Sequence, residues 1–214
     1  MVVIVESGEI SALSSEACLQ WAVATAPKQR EAACGDGYLL LREGDRILIA
    51  VADGAGSGLL AKAASDACLD EVSKARTMSL PQLFESCHRR LVGTRGAALA
   101  VVTIDLGSAE MEWAALGDID GVVYPADGRS DALISAIQRG GTLGHGVPDI
   151  YSQRHGLQPG QVVALSTDGV SRKHRESRPL GAAPVEFARA NLEKYGREGD
   201  DRTLAVFQIG RMSA

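Results

Sequence analysis

The chain has 214 residues, 45% apolar and 23% charged, the composition of an ordinary globular protein long enough to bury about 70% of its unfolded surface. Its net charge of −5 lacks the basic excess of a nucleic-acid binder, and the start Met1-Val2-Val3-Ile4-Val5-Glu6 reads as neither a signal peptide nor a membrane span. Cys18, Cys34, Cys68 and Cys87 form no C-x-x-C pair, which speaks against zinc or a disulfide framework and for a reducing cytoplasm.

No repeat or linker divides residues 1–214, so a single domain is expected. Leu19 to Ala26, Tyr38 to Leu41 and Arg46 to Ala52 read as strands, the last two joined by the turn Arg42-Glu43-Gly44-Asp45. Ser57 then caps a helix on which Leu59, Leu60, Ala63, Ala64, Ala67, Cys68 and Val72 keep helical spacing. Ser79-Leu80-Pro81-Gln82 is a capping-box pattern ahead of Leu83, Phe84, Cys87 and Leu91. Ala97 to Ile104, Met111 to Ala115 and Gly121 to Tyr124 follow as strands, with connections so short that antiparallel hairpins are expected. In the glycine-rich stretch 126–150, Asp127-Gly128 reads as a turn and Asp131 to Gln138 as a short helix. Gln161 to Ser166 is a buried strand, Pro184 to Tyr195 a helix ended by Gly196, and Thr203 to Ile209 the last strand. Helices inserted in a largely antiparallel meander make an α+β sandwich.

Acidic-glycine clusters stand at the ends of these apolar runs. Asp36 opens Tyr38-Leu39-Leu40-Leu41, Asp53 closes Ile47 to Val51, Asp168 closes Val162 to Leu165, and Asp200-Asp201 precede Leu204 to Phe207. Any one alone is an ordinary turn signal. Together they form a hard, all-oxygen donor set without Cys or His, which suits Mg²⁺ or Mn²⁺. Carboxylates about 4 Å apart repel by roughly 4 kcal/mol at an intermediate dielectric. Two divalent ions held about 3.5–4 Å apart by a bridging aspartate remove that repulsion and activate a water for phosphomonoester hydrolysis. His88, His145, His155 and His174 show no metal-ligand spacing. Cys34, two residues from Asp36, reads as a small core side chain rather than a redox sensor.

Cys34-Gly35-Asp36, Val51-Ala52-Asp53-Gly54-Ala55-Gly56-Ser57-Gly58, Arg95-Gly96-Ala97, Ser166-Thr167-Asp168-Gly169-Val170 and Asp200-Asp201-Arg202-Thr203 together resemble the metal-dependent protein phosphatases of the 2C type. Their forms are most similar to the SpoIIE-like bacterial serine phosphatases that act in the stressosome. The resemblance spans residues 30 to 209 and implies a β-sandwich flanked by helices in αββα layers. It implies that Asp53 bridges two Mn²⁺ or Mg²⁺ ions, that the Gly54 carbonyl binds one, and that Asp36, Asp168 and Asp200 complete the other shell. Asp201, counted with them as a metal ligand, stands where many relatives carry Asn. It further implies a catalytic domain alone, acting on phosphorylated protein substrates, STAS-domain stressosome proteins, with no nucleic-acid or membrane partner and a monomeric state. Near the arginine by which eukaryotic relatives grip phosphate, this chain offers only Arg30.

Rival patterns are weaker. Gly56-Ser57-Gly58-Leu59-Leu60-Ala61 fits a dinucleotide fingerprint but lacks the acidic residue about 20 positions on. Gly117-Asp118-Ile119-Asp120-Gly121 resembles the haloacid dehalogenase signature, with Asp118 as nucleophile and Asp120 as acid; that fold needs parallel strands, whereas the flanks here read as a hairpin. A non-catalytic docking module of the same fold would not need to retain mutually repelling acids. Arg172-Lys173-His174-Arg175 follows Asp168 closely and reads either as a grip for a phosphoprotein or as a solvated loop.

Overall fold

The computed structural model describes residues 3–127, 133–146, 149–179 and 181–211. Its strands are β1 (Ile4–Ser11), β2 (Ala17–Ala26), β3 (Asp36–Glu43), β4 (Arg46–Gly54), β5 (Ala97–Asp105), β6 (Glu110–Leu116), β7 (Asp120–Tyr124), β8 (Ile134–Ser135), β9 (Gln138–Arg139), β10 (Gln153–Gly156), β11 (Val162–Ser166) and β12 (Arg202–Arg211). Its helices are α1 (Gly58–Lys74), α2 (Leu80–Leu91) and α3 (Pro184–Tyr195), with a 3₁₀ turn at Arg172–Glu176. One sheet runs β1-β2-β12-β11-β7-β8; the other runs β10-β6-β5-β4-β3, with β9 beside β6.

Alternation along the central strands builds the layers. On β4, Ile47, Ile49 and Val51 join Val102, Trp113, Leu165 and Phe207 in a core between the sheets. Leu48, Ala50 and Ala52 point the other way, against Cys68, Val72, Phe84 and Leu91 of α1 and α2. On the far side, Ala22, Ala164 and Val206 pack on Phe187, Ala188 and Leu192 of α3. A strand apolar at every position is therefore one covered on both faces, and the order is helix, sheet, sheet, helix, the expected α+β sandwich.

Local signals hold at most helix ends. Gln82 Oε1 accepts from Ser79 Oγ (2.8 Å) and Ser79 N (3.3 Å), tying off the start of α2. The Gly196 amide closes α3 on the Leu192 carbonyl at 2.9 Å. Ser57 occupies the N-cap position of α1 without capping it; its hydroxyl turns 3.5 Å toward Glu31.

Three expectations need correction. Residues 134–135 and 138–139 are short strands pairing with β7 and β6, so no helix runs to Gln138; Asp131 and Gly128 lie outside the described residues. β6 and β7 are not a hairpin: Gly117 to Ile119 carry the chain from one sheet to the other. β1 and β10, which sequence patterning did not anticipate, are edge strands whose mostly exposed residues give no apolar alternation to read. Among the described residues, no helix is long and apolar enough to cross a membrane.

Candidate metal centre

The acids converge because strand phase and sheet pairing bring them to one end of the sandwich. Asp53 is in phase with Ile47, Ile49 and Val51, so it points into the space between the sheets where the apolar filling stops. Asp36 pairs directly with Asp53 across the β3–β4 ladder. Like charges directly opposite each other on a ladder are destabilising, so this pairing costs the fold something. Asp168 follows β11 and Asp200 precedes β12, an antiparallel neighbour, which places both at the same end of the facing sheet.

The glycines of the two Asp-Gly motifs serve close approach, and neither has a positive φ. A Cβ on Gly54 would lie 1.9 Å from the Ala61 carbonyl oxygen, and one on Gly169 would lie 1.9 Å from that of Asp201. Glycine thus lets α1 and the β12 approach pack against the acids. Gly169→Ala is expected to cost about 3 kcal/mol, the upper end of overpacking penalties, and to lower the melting temperature by about 6–12 °C in thermal unfolding.

Asp53, Asp168 and Asp200 line one open cavity of about 370 Å³, together with Asp118 and Lys28. Asp36 is buried behind them; its Oδ2 accepts from Thr167 Oγ1 at 2.8 Å, while its Oδ1 has no hydrogen-bond partner. Thr167 Oγ1 in turn accepts from the Thr203 amide at 2.9 Å, tying Asp36 to the facing sheet. Asp201 does not line the cavity. Its Oδ1 accepts from the Lys28 amide at 2.8 Å, and its buried Oδ2 is unpartnered. Of the adjacent pair, Asp200 is the one that faces the cavity.

The electrostatics of the clustered acids would favour a cation among them. Burial, then the carboxylates of Asp36, Asp168, Asp200 and Asp201, push Asp53 up to about 9. Burial raises Asp36 to about 7 against the hydrogen bonds of Thr167 and Thr203, with Asp201 and Asp168 adding to the rise. Asp168 is raised by burial, Asp200 and Asp118. Among the described residues, no three His, Cys, Asp or Glu groups converge tightly enough to close a shell alone. Such a sparse set, with the orphaned buried Asp36 Oδ1 behind it, fits Mg²⁺, which keeps several waters and takes few carboxylates.

Other sequence readings resolve around this frame. Asp118 lines the cavity, but Asp120 is in phase with Val122 and Tyr124 and faces the opposite side of its sheet, where Arg175 grips both its oxygens. Burial alone would raise Asp120; the nearby His174, the hydrogen bonds of Arg175 and the charge of Arg172 hold it low. With antiparallel flanks in two sheets, the pair cannot work as dehalogenase nucleophile and acid. Arg30 is exposed and absent from the cavity wall, which Lys28 enters instead. The Arg95 guanidinium rests where a Gly56 side chain would be, 2.4 Å from its Cβ position. Cys34 is half-buried, and burial and Asp36 push its thiol up to about 12, which leaves it inert. Sequence reading missed Lys28 and gave no role to Arg202, which it quoted only as part of the last motif. Arg202 is fully buried and donates to the carbonyls of Arg197 (2.8 Å) and Asp200 (3.4 Å), shaping the loop that carries Asp200. A cation at the head of an apolar strand is the signal that marked it.

A family model described as Stage II sporulation protein E (SpoIIE) matches residues 43–207. The phosphoserine phosphatase RsbX of Bacillus subtilis (strain 168) is 24% identical over 184 residues, 85% of this chain and 90% of that one. RsbX solved in complex with magnesium superposes with a TM-score of 0.84 at 20% identity, covering 97% of this chain and all of that one. A chain solved in work on "The bacterial stressosome: a modular system that has been adapted to control secondary messenger signaling" gives 0.80 at 28% identity, covering 89% of this chain and 99% of that one.

Proposed function

The chain belongs to the SpoIIE family, and on that premise we propose that it is a protein phosphatase for phosphoserine and phosphothreonine, working with two Mg²⁺ or Mn²⁺ ions. The observation that carries this reading is the cavity where Asp53, Asp168 and Asp200 meet, backed by Asp36 and held at high energy by mutual repulsion. The magnesium in the RsbX complex supports the choice of ion. When bound, such ions supply a water nucleophile near neutral pH and balance the charge of the phosphoryl oxygens.

The protein's own part is positional. Asp53 would hold both ions, with the Gly54 carbonyl on one and Asp36, Asp168 and Asp200 on the other. Asp201 braces the Lys28 segment instead, and Lys28 lines the cavity, where its ammonium would meet a phosphoryl oxygen. The β3–β4 ladder and the Thr167 bridge hold these groups to strand precision, as positional catalysis requires. By similarity to RsbX and to the stressosome chain, the substrates are phosphorylated STAS-domain proteins of a stressosome-like complex. The free cysteines support a reducing cytoplasm as the place of action.

Hydrolysis of p-nitrophenyl phosphate tests the chemistry. Activity is expected only with added Mg²⁺ or Mn²⁺ and to vanish with EDTA, while Asp118→Asn stays within about tenfold of the parent, since losing a nucleophile costs far more. Activity that survives EDTA, or that Asp118→Asn alone abolishes, would sink the reading. Release of phosphate from a phosphorylated STAS-domain protein, faster than from a generic phosphopeptide, tests the partner.

A further inference from the structure

A second cavity of about 340 Å³ adjoins the first, sharing Asp118 and Asp168 as a common wall. Its character is different. Arg172, Lys173 and Arg197 enter its lining, and of its acids Asp120 is already neutralised by Arg175. Arg172 is engaged with Gln138 Oε1 at 2.5 Å and lies 3.9 Å from Asp120. Lys173 and Arg197 have no ion pair among the described residues, although the charge of Arg197 acts on Asp168 in the shared wall.

The cations stand on a fixed base. His174, between Arg172 and Arg175 in the chain, is fully buried; its Nδ1 lies 2.9 Å from Tyr124 Oη and its Nε2 3.1 Å from Ser166 Oγ. Arg175 clamps Asp120 with two nitrogens. Both anchors reach the rigid β7–β11 ladder, so the 3₁₀ turn presents Lys173 outward from a pinned backbone. This rigidity sets the basic stretch apart from a loosely solvated loop.

We propose that this cavity seats an acidic side chain of the substrate polypeptide, one that flanks the phosphorylated residue. The proposal rests on the phosphatase reading of the first cavity. An extended chain advances about 3.3 Å per residue, so a phosphoresidue at the acidic centre leaves its close neighbours beside the shared wall. The free positive charge there is small and partly offset by Asp118 and Asp168, which suits a carboxylate better than a second phosphate dianion. The chain's net charge of −5 and the acids alongside argue against a nucleic-acid strand.

The test compares kcat/KM on phosphoserine peptides whose flanking positions carry Asp, Asn or Lys, with p-nitrophenyl phosphate as a substrate too small to reach the second cavity. Wild type is expected to prefer the Asp peptide over the Asn peptide by about three- to fivefold, the size of one partly exposed charge pair. Lys173→Ala should erase most of that preference. Lys173→Glu should invert it in favour of the Lys peptide, with p-nitrophenyl phosphate turnover changed less than about twofold. No Asp preference in wild type, or an equal loss on every substrate in Lys173→Glu, would overturn the proposal; the latter would assign Lys173 to the scissile phosphate. If wild type hydrolyses none of these substrates with Mg²⁺ or Mn²⁺, the phosphatase reading fails by itself. Fluorescence anisotropy with the labelled Asp and Asn peptides then decides the cavity, equal binding of the two counting against it.

Discussion

Asp53→Asn is expected to lower kcat/KM on p-nitrophenyl phosphate by about 10³-fold or more while leaving the metal-free protein as stable as the parent, or more so. The activity loss follows from removing the one carboxylate assigned to both ions; deleting even one well-placed electrostatic group costs about 10²–10³-fold. The stability expectation runs the other way. Asp53 faces the carboxylates of Asp36, Asp168, Asp200 and Asp201, and the exchange keeps the shape while removing the cost of either bearing a charge they repel or holding a proton above its usual range. In EDTA at pH 8, each 1 kcal/mol of relief would raise the melting temperature by about 2–4 °C in a chain of this size. Activity assays and thermal unfolding on one preparation check both halves. A variant that loses activity and also melts well below the parent would show Asp53 to be a structural group. The expected opposition of the two effects also speaks against a docking module, which would gain stability from losing the charge and lose nothing else.

The same residues show how far the sequence could be read. Ile47 to Val51, apolar at every position, already read as a strand with Asp53 at its end; that helices and the facing sheet cover its two faces is what the structure adds. Direct pairing of Asp36 with Asp53 was not legible, because register depends on the β3–β4 turn as built. Choosing between Asp200 and Asp201 needed the start of β12: adjacent residues differ in direction, and only the structure shows that Asp201 turns to the Lys28 amide. Asp118 and Asp120, two apart, would share a face if both lay in one strand. The chain instead changes sheets between β6 and β7, so Asp118 lines the first cavity while Asp120 stays out of it, held by Arg175. The polar edge strand β1 left no periodic trace, because only a buried face imposes one. Long-range placement of short polar segments was therefore the information missing from the sequence, and Lys28 was overlooked for that reason.

A large gain in stability is expected from the divalent ion, and its size should depend on pH. Asp36 and Asp53 carry folded-state values of about 7 and about 9, above the roughly 3.9 of an unfolded aspartate. Between those values the folded chain holds protons that the unfolded chain has released. Stability of the metal-free protein should therefore fall as pH rises from about 4 through 9, the reverse of a salt-bridged carboxylate. An ion removes the cause, because it binds the deprotonated acids and takes the place of their protons. Mg²⁺ or Mn²⁺ at about 100 times its dissociation constant adds about 2.7 kcal/mol, or about 5–10 °C in melting temperature. At a fixed ion concentration the gain should be greatest near pH 8.5 and shrink toward pH 6, where protons compete for the same oxygens. Thermal unfolding at both pH values, with EDTA and with metal, measures this directly. A metal-induced shift of equal size at both, or a metal-free protein more stable at pH 8.5 than at pH 6, would mean that these carboxylates are not the groups the ion binds. With Asp53→Asn the pH dependence in EDTA should flatten and most of the metal shift should disappear, which ties the linkage to that residue.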